Sequence, residues 1–447
     1  MWKVRVNNMA NMEKNSRIRE KGGETRARRK NQEVRAFEIK FDANKISNLK
    51  LNCLKRVFVE GKWFMNYIIA KGITETVSHK DYSIKKVNIK VKDKFEEREL
   101  NVLSSQMKEY IIKRLQSNVK TLTKLKKEGK KIGKIKYRRS LHSIPLMQYG
   151  ITYKIDIERK KVHIQSLGDF KVLGLSQIPE DSEFATANLI DRNGNYFLHI
   201  IAYAPKKEKV QNSKSIGIDL GIKNQITFSN GVQVRYNVPM AERTKRLYRA
   251  FSRSKYDKIA RTRSKRGMKL LNRIKMEFEH QNNHKKDINN KLAHYVTYNY
   301  QYISYQDDSI SSWSKFYGRK IYQTSIGEFR NAIKRKACTP LKVGRFARTT
   351  GICPNCGESQ HLDLSDRVFA CPSCGYTSDR DVSAAKTINK LGLSLWNIGE
   401  TLAEDYAYTT NMLEYIKCIP HVKASISVEA RSPKLTDVAE APSVRAG

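Results

Sequence analysis

Acidic side chains are scarce in this chain: 44 Asp and Glu stand against 86 Lys and Arg, a formal charge of +42. That much uncompensated charge repels itself in a compact fold, so a polyanionic partner, nucleic acid, is implied. Long apolar runs are missing too. Nothing approaches the ~18 residues that a membrane-spanning helix needs, and no membrane partner is expected. Residues 1–30 lack the apolar stretch of a secretory signal and read as a basic, flexible arm. Cysteine is sparse, with seven residues of which four form two C-x-x-C pairs. This usage suits a reducing compartment better than a disulfide framework, so cytosolic residence is expected. With only 10 prolines and 39% apolar residues the composition is globular, and 447 residues leave room for roughly two to four structural units, none repeating another.

Periodicity divides the chain further. Val34–Phe41 alternates apolar and charged side chains, as a strand does. From about Lys45 to Leu115 the spacing turns helical, with Leu51, Leu54, Phe58, Trp63 and Tyr67 on one stripe; Trp63 and Phe64 are expected in a packed core rather than stacked on bases. Lys120–Arg139 carries ten basic residues and one acid, punctuated by glycine, the composition of a loop that tracks a phosphate backbone. Between Gly150 and Pro205 the runs ITYKIDI, KKVHIQSL, FATANLI and NYFLHIIAY predict antiparallel strands. With the first strand they suggest a β-barrel into which the helical segment is inserted. After the linker KKEKVQNSK, the segment SIGIDLGIKNQITFSNGVQVRY reads as three strands. A strongly basic helical stretch follows from Met240 to Tyr300, then a strand (QYISYQ), a helix around Thr324–Lys336, a strand (PLKVGRF), a cysteine-rich insert and a final helix from Asp381. The succession βββ-α-β-α-β-insert-α is that of an RNase H-like fold. The last residues, SVEARSPKLTDVAEAPSVRAG, are small and polar, and disorder is expected there.

Two constellations carry chemistry. Cys353-Pro-Asn-Cys356 and Cys371-Pro-Ser-Cys374 are each followed by glycine, the form of a knuckle whose tight turn aims two thiolates at one ion. Two such pairs this close predict a zinc ribbon with one structural zinc on four sulfurs, in preference to a redox pair, with His361 as a bystander. Asp219 ends the strand of SIGIDLG beside a glycine, where a carboxylate can reach a divalent cation unobstructed. One strand-end aspartate is weak evidence. In an RNase H-like sheet, however, a metal site draws on the first strand, the fourth strand and a later helix. The chain supplies acids at all three: Asp219, the Gln306-Asp307-Asp308 run, and Asp379-Arg380-Asp381. Helix capping accounts for one of the last two acids but not for both. Such a set would hold paired Mg2+ for phosphodiester hydrolysis.

A GIDLG strand, an acid after a later strand and a zinc ribbon running into Asp379-Arg380-Asp381-Val-Ser-Ala-Ala together resemble the RuvC nuclease domain of TnpB proteins, the transposon-encoded relatives of the compact type V CRISPR effectors. Motifs alone do not separate the two groups. The resemblance runs over about residues 34–395 and is strong in Ile216–Gly221, Cys353–Gly375 and Asp379–Lys386. It is softer in VEGKWFMNY (Val59–Tyr67) and GKIKYRR (Gly133–Arg139). Carried over residue by residue, Asp219 and Asp381 match the first and third catalytic aspartates, and Cys353, Cys356, Cys371 and Cys374 match the zinc ligands. The second acid departs from the family pattern of a glutamate followed by aspartate and leucine, because QDDSI stands here. Alignment on Ile310 puts Asp308 in the glutamate's place. Alignment on Gln-Asp would put Gln306 there, and an amide cannot replace a metal-binding carboxylate. Asp308 is preferred, and QDDSI followed by Trp313 and GRK resembles a subgroup of the family that supports it.

The resemblance implies an α+β multidomain RNA-guided DNA endonuclease. Its layout would be a basic arm over 1–33, a β-barrel wedge domain over 34–44 and 134–208, and an inserted helical recognition domain over 45–133. An RNase H-like RuvC domain would cover 214–348 and 377–395, with a zinc ribbon at 349–376 and a C-terminal extension over 396–447. It implies two Mg2+ ions, one zinc, a guide RNA, and double-stranded target DNA with its displaced strand, in a monomer or homodimer that joins the nucleoid when bound to DNA in a prokaryotic cytoplasm. Base pairing would read the target while the protein reads an adjacent motif and duplex shape. Lys130, Lys131, Lys134, Lys136, Arg138, Arg139, Arg246, Arg249, Arg253, Arg261 and Arg263 are the expected phosphate contacts. Two rival readings remain: an RNA-guided DNA-binding repressor without cleavage, which needs a broken acid set, and a protein-only nuclease selective for DNA structure, which would need neither the basic amino-terminal half nor the ribbon.

Overall fold

The computed structural model describes residues 16, 19–72, 79–91, 94–206, 210–257, 262–363, 365–399 and 406–427. The chain forms two compact units that divide after Lys207. The tail expected to be disordered lies outside the described residues beyond its first residue, Ser427, as do residues 1–15 of the expected arm.

The first unit is organised by one seven-stranded antiparallel sheet. Its spatial order is Ser143–Leu146, Glu183–Arg192, Asn195–Pro205, Gln32–Phe41, Gly168–Leu173, Lys161–Ile164 and Tyr153–Asp156. The two edge strands, Ser143–Leu146 and Tyr153–Asp156, are consecutive in the chain and joined by a short link in which Tyr149 bridges to Tyr153. A link that short keeps the edges within its own reach, so the sheet nearly closes on itself. The expected barrel is therefore a curled sheet. Two helices, Asn48–Lys71 and Ser105–Lys127, start at Ser47 and Ser104, whose hydroxyls accept from the N–H groups of Lys50 and Met107. Phe64 is fully buried in the common core and Trp63 packs against it, half-buried, under the Arg56 guanidinium.

Three expectations for this unit change. Residues 19–30 of the expected flexible arm are helical, and Arg28 and Arg29 pair with Glu183 at 3.0 and 2.6 Å. Within the segment read as helical, Lys86–Val91 and Lys94–Glu99 form a β-hairpin; its heavily charged alternation disguises the period of two. The basic stretch from Lys120 begins on the helix, which runs to Lys127, and becomes a loop only beyond it.

The second unit is a six-stranded mixed sheet in the order Thr339–Val343, Tyr302–Gln306, Ser215–Leu220, Ile226–Phe228, Val232–Tyr236, Val422–Ile426. The first three of these are parallel and the rest alternate. This is the strand succession anticipated from the sequence, with a sixth strand added from the region read as a C-terminal extension. One face packs Ile216 and Ile218 against Leu292 and Val296 of the long helix Lys265–Asn299 and against Phe329 and Ile333 of Ile326–Lys336. The other face takes the helix Arg380–Leu395. Two further elements were not anticipated: helix Ile310–Thr324 and helix Tyr406–Lys417. The basic helical stretch is broken into Glu242–Ser252, a small hairpin, and Lys265–Asn299. No helix among the described residues is long and apolar enough to cross a membrane.

Candidate active site and metal centre

Strand periodicity decides where Asp219 points. Gly217 lies on the face covered by helix Arg380–Leu395, because a Cβ there would stand 2.1 Å from the Ala385 carbonyl oxygen. Only glycine lets the helix cross so closely. Asp219, two residues on, shares that face. Two strand residues rise about 6.6 Å, and one helical turn back from Ala385 to Asp381 spans about 6 Å. Asp219 at the strand's end and Asp381 in the helix's first turn therefore finish level with each other. Asn389 fixes the crossing: its amide donates to Ser215 Oγ at 3.0 Å and accepts from Ser304 Oγ at 3.1 Å, one residue from each of the two neighbouring parallel strands.

Burial lifts the Asp219 carboxyl well above the ordinary carboxylate range, and the charges of Asp381 and then Asp308 lift it further. Its side chain is half-buried, with protein on most sides. Asp219 thus responds to both other acids, at the carboxyl ends of the adjacent strands Ser215–Leu220 and Tyr302–Gln306.

The three candidates for the second acid part company. Gln306 Nε2 donates to the carbonyls of Gly344, Arg345 and Ala347, and its Oε1 accepts from Thr349 at 3.0 Å. Its amide is spent on holding the loop that leads into the cysteine insert. Asp307 turns to Lys342 at 2.8 Å, and that ammonium holds its carboxyl below the usual range. Asp308 is raised, chiefly by burial, against the pull of Arg330 and Arg345. Its main-chain oxygen accepts from Arg330, which pins the turn that carries it. At the helix start, Asp379 is the cap, accepting from the N–H groups of Asp381 and Val382 at 2.9 and 3.2 Å and from Gln233 at 3.0 Å. Asp381 does not cap; its carboxylate stands 3.6 Å from the Arg380 guanidinium.

The four cysteine sulfurs all lie within 4.8 Å of one another, and among the described residues they are the one group of three or more His, Cys, Asp or Glu that does. Cys353 and Cys374 stand 3.6 Å apart, Cys356 and Cys371 3.5 Å. Four ligands at the ~2.3 Å of a zinc–sulfur bond would be about 3.8 Å apart, so the cluster could hold one zinc with little adjustment. Gly357 and Gly375, at φ +83 and +72, turn each knuckle so that their N–H groups reach the carbonyls of Cys353 and Cys371. His361 is exposed beside Asp363 and takes no part. The insert is tied to the helix below it: Thr387 donates to the Ile352 carbonyl, and Lys390 to those of Pro354 and Asn355.

The basic residues expected at phosphates fare unequally. Lys130, Lys131, Lys134, Lys136, Arg138 and Arg139 are all exposed on one extended loop. Asn66 grips the Arg138 backbone from both sides, at 2.8 and 2.9 Å, so VEGKWFMNY and GKIKYRR touch. Arg246, Arg249 and Arg253 are exposed around helix Glu242–Ser252. Arg263 turns inward, donating to the Ser254 carbonyl at 2.6 Å and lying over Phe251, so it serves the local fold. Arg261 lies outside the described residues.

Residues 327–388 match the family model "Cas12f1-like, TNB domain". "TnpB-like protein L79" of Acanthamoeba polyphaga mimivirus is 27% identical over 228 residues, 45% of this chain and 42% of that one. A Streptomyces pristinaespiralis protein named "Putative RNA-guided DNA endonuclease" is 24% identical over 50% of this chain and 56% of its own length. The chain thus spans about two fifths to a little over half of the curated relatives it matches. A solved Cas12f1–sgRNA–target DNA complex overlaps 80% of this chain and 99% of its own at 13% identity, with a TM-score of 0.26, too loose a superposition to bear on the fold.

Proposed function

We propose that this chain, which belongs to the family of TnpB proteins and compact type V effectors, is an RNA-guided DNA endonuclease that cuts at Asp219, Asp308 and Asp381. The observation that carries the reading is the close helix crossing at Gly217, which brings Asp381 level with Asp219 beside the strand that Asp308 follows. Three carboxylates on separate elements destabilise one another unless cations share the site, and that donor set fits a hard divalent ion.

Asp219, Asp308 and Asp381 would hold paired magnesium, which supplies an activated water and stabilises the leaving oxygen. The chain's own part is geometric. Asp219 is fixed by the sheet, Asp381 by the capped helix, and Asp308 by the turn that Arg330 grips. Cys353, Cys356, Cys371 and Cys374 would hold a structural zinc that sets the helix start. The curled sheet and the helices of the first unit would be the wedge and recognition domains, the six-stranded unit the RuvC domain. The exposed loop Lys130–Arg139 and helix Glu242–Ser252 would meet the backbones of guide RNA and target DNA. The repressor reading loses support, since its second acid position would fall on Gln306, whose amide is fully engaged.

The test is to express the chain with its flanking genomic sequence, isolate the RNA that accompanies it, and offer the complex matched plasmid with Mg2+. Cleavage is expected, and Asp308→Ala should lower it by at least about 100-fold, beyond the loss expected for a group that only supports a ligand. Normal cutting by Asp308→Ala would remove Asp308 from the site. A preparation carrying no discrete RNA would overturn RNA guidance.

A further inference from the structure

The edge of the six-stranded sheet that carries the acids also carries a second, oppositely charged feature. Strand Val232–Tyr236 runs parallel to Ser215–Leu220, and Val422–Ile426 runs antiparallel to it, so Tyr236 and Val422 end on the same edge as Asp219. There a cavity of about 760 Å³ is lined by Lys223, Arg235, Lys320, His421 and Lys423, with no acid in its wall. Lys223, Lys320 and Lys423 are exposed, and among the described residues no carboxylate pairs with them. Arg235 is aimed by Asn224, whose Oδ1 accepts from Nε at 2.5 Å.

The lining also selects a ligand. Tyr236 is buried and donates its hydroxyl to Asn289 at 2.6 Å, so the exposed His421 is the one ring of the lining left to face a base. Four permanent cations beside so little stacking surface suit phosphates. The size of the cavity suits a stretch of backbone rather than a single ion.

Its place on the edge identifies which backbone. Strands lie about 4.8 Å apart, so the strand of Arg235 is about 10 Å from that of Asp219 and the strand of Lys423 about 14 Å. Helix Ile310–Thr324 leads the same way: it starts just past Asp308, and its Lys320 reaches the cavity. A nucleic-acid strand covers that distance in a few nucleotides.

We propose that this basic cavity seats the backbone phosphates of the DNA strand entering the acid site, a few nucleotides from the scissile bond, and so fixes the strand's path and polarity. Naming the strand as the one cut rests on the nuclease reading above; the seat itself does not.

The test compares Lys223→Gln/Lys423→Gln with Lys286→Gln/Lys417→Gln, an equal charge change at exposed lysines outside the cavity lining. Binding of a fluorescent single-stranded oligothymidylate to the full chain is measured without magnesium over a salt series. Loss of two phosphate contacts should flatten the log–log salt slope by about 1.4 in the cavity variant, with little change in the control. Cleavage of matched DNA by the guide-loaded protein should slow by on the order of tenfold, and Lys223→Arg/Lys423→Arg should restore both. Identical slopes and rates for the two glutamine variants would overturn the proposal even if the wild type cuts. A cavity-specific slope change in a protein that never cuts would keep the seat and sink the nuclease reading. Unchanged DNA binding with loss of the co-purifying RNA would make the occupant RNA and overturn the assignment to DNA.

Discussion

Four sulfurs and three carboxylates are arranged around the same helix, Arg380–Leu395, yet the sulfurs lie within 4.8 Å of one another and the carboxylates form no such group. The difference follows from charge and covalent reach. Each cysteine pair sits in a five-residue knuckle that local hydrogen bonds close, so the backbone of each turn aims its two sulfurs. The acids come from three separate elements and repel; the sheet can bring them level but cannot press them together. One centre is finished by local structure, and the other is left strained for what it is to hold.

That comparison can be broken in several ways, the first with the largest effect. Cys356→Ser/Cys374→Ser should abolish zinc retention, measured by metal analysis. Zinc binding in such peptides is worth about 10–16 kcal/mol, so a large fall in thermal midpoint is expected. Cleavage should drop with it, because the last strand of the insert ends in Asp379, the cap that precedes Asp381. A variant that loses zinc yet melts and cuts like wild type would show the two centres to be independent.

Gly217→Ala tests the acid side from beneath. Its methyl would meet backbone, not a side chain that can move aside. A cost of about 1–3 kcal/mol or more is expected from overpacking, read by denaturant unfolding, together with slower cleavage. Stability lost with cleavage intact would mean that the helix crossing does not set Asp381.

The strain itself is visible in pH. With Asp219 raised in the folded, metal-free chain, the native state binds more protons than the unfolded one between the two pKa values, so stability falls as pH rises through that interval. The stability is fully present below the unfolded value of about 3.9, and each pH unit of the interval costs about 1.4 kcal/mol. Relative to Asp219→Asn, wild type should lose thermal midpoint as pH rises above about 4 and regain it with Mg2+. Parallel pH curves for the two proteins would remove the strain from the account.

The smallest effect is expected at Asp307→Asn. Its partner Lys342 is about half exposed, so the pair contributes at most about 1 kcal/mol, and cleavage should stay within a few-fold of wild type. A loss as large as that of Asp308→Ala would reverse the choice between the two aspartates.

The sequence was most legible where the chemistry is local. The two cysteine knuckles need only a tight turn and a glycine, and both stand in the chain as spacing. Asp219 was readable as a strand end, and the pair Asp379 and Asp381 as a cap plus one acid too many, although which was which depended on the hydrogen bonds. Asp308 could be chosen only by phase. What separates it from Asp307 is Lys342 on another strand, a contact with no trace in the local pattern. Gly217 and Asn389 went unremarked for the same reason: their importance lies in what crosses them. Helix Ile310–Thr324 was missed because its serines and glycine weaken the helical period. Strand Val422–Ile426 was missed because its partner is far away in sequence.

That last strand has a consequence for how the unit is made. It closes the edge of Val232–Tyr236, which leaves the ribosome long before it. At about 5–20 residues per second, the intervening stretch takes on the order of tens of seconds to synthesise. For that time the sheet presents unpaired backbone to every neighbouring chain. Shielding the nascent edge, rather than stabilising the finished fold, is where a chaperone would help this protein most.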